Sequence, residues 1–191
     1  MKRAILISIR PEWVAKILNG EKTIEIRKTA PKCDLPIDVY IYCTTDRKYG
    51  YMHNGQSIRP RSVVAKFTLG KVTQYIAGNN MDEDHPIGGD AFIKDEVLNK
   101  ACITEEELLD YTKHNDKNPY DFTFFAWHID DLVVFSKPKE LSEFKCKKYH
   151  YSSCKHCPHA VGMLCNADLR CDEPLPITKA PLSWQYAEVD E

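Results

Sequence analysis

Ile7-Ser8-Ile9-Arg10-Pro11-Glu12-Trp13, then Ile17-Leu18-Asn19-Gly20-Glu21-Lys22-Thr23-Ile24-Glu25-Ile26-Arg27, is the stretch on which the fold reading turns. It divides into strand, helix and strand. Residues 3–9 are rich in Ile and Leu and read as a strand. Pro11 suits a first helical position, where its missing N–H would be unpaired anyway. Trp13, Val14, Ile17 and Leu18 recur at helical spacing over two turns. Asn19-Gly20 ends the helix, with Gly20 free to take the left-handed cap. Thr23 to Arg27 alternates: Ile24 and Ile26 face the core, while Thr23, Glu25 and Arg27 share the opposite face.

Outward from there, residues 38–44 read as a strand and 45–61 as a long polar loop. Residues 62–69 and 71–75 read as a strand kinked at Gly70, and 77–90 as a second loop. Short helices are expected at 91–99 and 104–113, the second opened by a Thr104/Glu107 capping box. Residues 122–135 are aromatic and β-branched, either a strand pair or one long bent strand. Residues 182–189 form a last strand. Many strands with few helices give an α+β class and a partly closed β-barrel with short flanking helices.

The 191 residues suit one decorated domain, and a 43% hydrophobic content supplies a core. No window nears the roughly 18–20 apolar residues that span a bilayer. The N-terminal apolar run is short and interrupted by Arg10, so it reads as a strand rather than a signal peptide; the cytoplasm is expected, without membrane contact. Charge is uneven under a net of -2. Residues 1–71 carry 14 basic and 6 acidic side chains, and residues 72–144 carry 6 and 16. A basic first third beside an acidic middle suits local contact with phosphate better than non-specific coating of DNA.

Five of the eight cysteines fall between Cys146 and Cys171. Cys154-Lys155-His156-Cys157 is a C-x-x-C knuckle, and Cys165 and Cys171 supply two further thiolates for a tetrahedral zinc. Such a clamp would order a segment with little apolar surface of its own. An iron–sulfur cluster uses the same four-cysteine chemistry, and Cys146 or His159 could replace one ligand. Disulfides do not suit a reducing compartment. The units expected are a core over 1–144, a small zinc-knuckle insertion over 145–175, and a strand over 176–191 returning to the core. Cys33, Cys43 and Cys102 stand apart and read as small core residues.

The opening strand, helix and Gly20-Glu21-Lys22-Thr23…Arg27 strand resemble the signature of the ASCH family. The resemblance is strongest over about the first 28 residues and looser through 62–75 and Ala126-Trp127-His128. The Ser183-Trp184-Gln185-Tyr186 ending is similar to a phage and Gram-positive bacterial branch, and the Cys-rich insertion lies outside the common core. The resemblance implies a PUA-like fold that binds RNA or a modified nucleotide. One group of small bacterial members hydrolyses N4-acetylcytidine with a Lys, a Thr and a Glu. Lys22 falls on that Lys, but Glu25 stands where the Thr would be, and a carboxylate is a poor stand-in for a hydroxyl nucleophile. Glu105, Glu106 and Glu107 lie in the region of the family's Glu.

Three classes of function remain open: a nucleotide or RNA binder, an amidohydrolase of an acylated nucleoside, and a protein-interaction module. As ligand-binding candidates we take Ser8, Arg10, Lys22, Thr23, Glu25, Arg27, Trp127 and His128. Arg27 offers a planar fork to phosphate or a base edge, and Glu25 an acceptor to an exocyclic amine. Trp127, His128, Trp184 and Tyr186 are stacking candidates, against the plainer alternative of core packing. Lys22 beside Glu25 is either an ion pair or, in an enzyme, the catalytic base with its partner. Without a pocket, Thr23, Glu25 and Arg27 reduce to a solvated strand face of paired charges. Arg59 and Arg61 are loop residues within reach of phosphate, or merely solubilising.

Overall fold

The computed structural model describes residues 1–45, 51–77, 91–112, 122–146 and 174–190. Cys154, Cys157, Cys165, Cys171 and His159, and with them the expected metal site, lie outside the described residues.

The chain runs β1 (Lys2–Ile9), α1 (Pro11–Leu18), β2 (Ile24–Arg27), β3 (Ile37–Cys43), β4 (Met52–His53), β5 (Gln56–Ser57), β6 (Ser62–Leu69) and β7 (Val72–Ala77). Then follow α2 (Ala91–Ala101), α3 (Glu105–Thr112), β8 (Phe122–His128), β9 (Asp130–Lys139), β10 (Phe144–Cys146), β11 (Leu175–Pro176) and β12 (Trp184–Val189). Strands form a seven-stranded sheet ordered β11-β10-β12-β1-β3-β6-β9, a three-stranded sheet ordered β2-β8-β7, and the small β4-β5 hairpin inside the loop expected at 45–61.

β1 lies in the middle of the large sheet, antiparallel to β12 and parallel to β3. Its unbroken apolar run has a direct cause: both faces are covered. Ile5, Ile7 and Ile9 pack with Val14, Ile17, Phe67 and Trp127 on one side. Ala4 and Leu6 pack with Phe144, Ile177 and Val189 on the other. α1 begins at Pro11 and buries Pro11, Val14, Ile17 and Leu18. Gly20 takes the left-handed conformation, at φ +75°, and turns the chain into β2.

The two larger sheets share continuous chain at a corner. β6 runs through Gly70 into β7, and β8 runs through Ile129 into β9, so each pair passes from one sheet to the other. A side chain at Gly70 would place its Cβ 3.4 Å from the Asp130 carboxylate, and Asp131 turns the second crossing at φ +46°. This settles 122–135 as a bent strand. It also corrects the barrel expectation: among the described residues the ladders stop at β11 and β9, and at β2 and β7, without closing. The physical reason is that the short β2 spends its pairing on β8 alone. Ile24 and Ile26 then face a second apolar cluster with Val97, Ala101, Leu108 and Phe124. The Thr104/Glu107 capping box forms as expected, with reciprocal bonds of 2.9 and 3.2 Å.

β10 was not anticipated, because Phe144-Lys145-Cys146 is too short to show a period. Cys146 is buried there beside Phe144 and Ile177. Cys146 pairs with Leu175, so residues 146 and 175 stand side by side at one end of the sheet.

Candidate functional site

The site grows from the turn after α1. Lys22 N–H donates to the Lys16 carbonyl at 3.1 Å, closing that turn and sending the Lys22 side chain inward. Its Nζ donates to the Ala101 carbonyl at 2.8 Å, at the C-terminal end of α2, where a cation suits the helix dipole. Thr23 N–H takes the neighbouring Lys100 carbonyl at 2.9 Å. The Lys22 ammonium also lies 5.2 Å from the centre of the Trp13 ring.

Glu25 and Arg27 project from β2 away from the helical cluster, toward the corner between the sheets. Glu25 Oε2 lies 3.3 Å from Lys22 Nζ, and Glu25 Oε1 lies 2.9 Å from Arg27 Nη2. The three side chains are 4%, 7% and 7% exposed for Lys22, Glu25 and Arg27, so the solvated-face alternative does not hold for Glu25 and Arg27. Arg27 Nη2 also donates to the Ser8 carbonyl at 2.8 Å, and Nη1 to Ser183 Oγ at 3.2 Å. β2 is thereby tied to β1 and to the residue before β12. Ser8 Oγ donates to the Pro181 carbonyl at 2.7 Å, and Ser8 N–H to the Ser183 carbonyl at 2.8 Å.

The other expected residues separate. Trp127 stands opposite Glu25 in the β2–β8 ladder, yet it is fully buried and packs edge-on to Trp184 at 5.4 Å. That is the core-packing alternative, and it removes Trp127 as an accessible stacking surface. His128 lies on the opposite face, with Nε2 3.1 Å from Thr73 Oγ1. Burial and then the Lys71 charge hold its pKa below the ordinary value, with Asp130 acting the other way. Thr23 is exposed just before β2. Arg10 is exposed and 3.7 Å from Glu12. Trp184 donates to Thr29 Oγ1 at 3.0 Å, and the Tyr186 hydroxyl accepts from Lys32 N–H at 2.7 Å. Both rings are therefore held in place. Arg59 pairs with Glu140 at 3.0 Å.

Three contributors escaped the sequence reading. Ser183 and Ala101 act through tertiary contacts that no spacing encodes. Tyr111, on α3, is 38% exposed, and the Lys28 ammonium lies 5.1 Å from its ring centre. Burial raises its hydroxyl pKa most; Arg27 lowers it, Glu25 raises it and Arg10 lowers it. Tyr111 therefore borders the buried cluster. Among the described residues no group of three or more His, Cys, Asp or Glu is placed to hold a metal ion. No described helix is long and apolar enough to cross a membrane.

Among solved structures the chain is similar to ASCH from Zymomonas mobilis, at 20% identity and a TM-score of 0.49, over 72% of this chain and 73% of that one. A tyrosine-to-phenylalanine variant of that protein matches at 21% identity and TM-score 0.48, over 73% of this chain and 77% of its own. A serine-to-alanine variant matches at 22% and 0.48, over 72% and 74%. No curated protein matches. Residues 7–139 match the sequence model of the ASCH domain, a span that holds the end of β1, the Lys22–Glu25–Arg27 cluster and the bent β8–β9 strand; the chain belongs to the ASCH domain family.

Proposed function

We propose that this chain binds RNA or a modified nucleotide at the corner where Lys22, Glu25 and Arg27 meet. The observation that supports this reading is the burial of three charged side chains within six residues, Lys22 in the turn before β2 and Glu25 and Arg27 on the strand itself. Burying charge is costly even when paired, and hydrophobic replacements are often as stable. This cluster lies within the span that matches a family whose PUA-like fold is associated with RNA. Ser8, near the end of β1, and Arg10, the residue before α1, would carry the site toward its rim.

Equilibrium dialysis of the full chain against mixed nucleosides, nucleotides and short RNAs, read by mass spectrometry, tests it. Retention of one species in the wild type, and its loss in a folded Arg27→Gln variant, is the expected result. Equal retention by the variant would remove the site. The 3.3 Å contact of Lys22 with Glu25 also suits the second reading, hydrolysis of an acylated nucleoside. That reading requires consumption of the nucleoside and its loss in Lys22→Ala.

A further inference from the structure

Resting on the nucleotide-binding reading, we infer that the corner site takes an oxyanion, so that it selects the phosphorylated form of a nucleotide over the neutral nucleoside. The first support is charge. Lys22 and Arg27 are cationic and Glu25 anionic, so the buried trio carries one positive charge in excess. A buried charge without its counterpart is unfavourable, and an entering anion supplies the counterpart.

The second support is the donor inventory. Both oxygens of Glu25 already face its own cations, so its negative charge is matched within the trio. The terminal nitrogens of Arg27 point at Ser8, Ser183 and Glu25. What remains is Arg27 Nε, a buried donor with no acceptor among the described residues. A guanidinium nitrogen donates and cannot accept a hydrogen bond. An unmatched buried donor is unfavourable, so a ligand that completes this corner must bring an acceptor. Phosphate oxygens do so and carry the matching charge.

The rim has the same sign. Arg27 and Arg10 act on the Tyr111 hydroxyl against the single anion Glu25, and Lys28 covers the Tyr111 ring. Arg10 is only loosely held by Glu12, and its side chain is largely exposed.

A monoester on a free nucleotide and a diester within RNA offer the same oxyanion chemistry, and calorimetric titration of the full chain distinguishes them. The probes are the ribonucleoside 5′-monophosphates, the matching nucleosides, inorganic phosphate, and a trinucleotide without terminal phosphates. The expected result is at least about tenfold tighter binding of the monophosphate or the trinucleotide than of the nucleoside. Whichever of the two binds tighter names the source. An Arg10→Ala/Lys28→Ala double variant alters only the rim and should cut that preference about tenfold while its circular dichroism is unchanged. Equal affinity for nucleoside and monophosphate would overturn the oxyanion inference and leave nucleotide binding standing. Absence of binding by every probe would overturn both.

Discussion

Glu25 and Arg27, two residues apart on β2, close a 2.9 Å ion pair beneath the corner of the two sheets, and the same carboxylate holds Lys22 from its other oxygen. Removing the carboxylate strands two cations away from water. Glu25→Ala is therefore expected to lose about 3–5 kcal/mol of stability, as broken buried pairs do. Urea unfolding measures the loss; a change within experimental error would show that the cluster relaxes into solvent.

Ser183 tests whether Arg27 ties the strands together. Ser183→Ala removes the acceptor of the 3.2 Å bond from Arg27 Nη1 and should cost about 1–3 kcal/mol, since the guanidinium donor stays buried. Thermal unfolding of the variant gives the answer, and an unaltered midpoint would mean that the bond contributes nothing.

The capping box at α3 gives a local prediction. Thr104→Ala leaves the Glu107 N–H without its 3.2 Å partner and should cost about 1 kcal/mol. Hydrogen exchange should quicken at the start of α3 and remain unchanged in β1.

Cys43 predicts a pH effect. Burial pushes its thiol up to about 12 from an ordinary 9.0. The folded form keeps the proton where the unfolded form releases it, so stability from this group is complete below pH 9 and declines as pH rises toward 12. The difference in urea midpoint between wild type and Cys43→Ala should shrink over that window. A constant difference would show that Cys43 does not titrate with unfolding.

The metal expectation rests on spacing alone, since Cys154, Cys157, Cys165 and Cys171 lie outside the described residues. One zinc per chain by elemental analysis, lost in Cys154→Ser/Cys157→Ser, is the expected outcome. Iron with visible absorbance would favour the cluster, and metal-free protein would leave the thiols unliganded.

The sequence by itself determined β1, α1 and β2, because each carries a local signal. Ile and Leu dominate residues 3–9, Pro11 and Gly20 bracket a two-turn apolar stripe, and Ile24 and Ile26 alternate with charge. It also placed Lys22, Glu25 and Arg27 on one short segment, and the Thr104/Glu107 box where α3 begins. Tertiary structure alone decided whether that charged face was wet or buried. Alternation states which residues share a face but not what covers it, and here β1, the residue before β12 and the end of α2 cover it. The same limit explains Trp127, a stacking candidate by composition that the packing of β8 against β1 made core. It explains the open sheets as well: the pairing of β2 with β8 rather than β1 is a choice among distant partners, set by the corner at Gly70 and Asp131. Ser183 joined the site from 156 residues beyond Arg27, a separation at which only the folded chain brings two groups together.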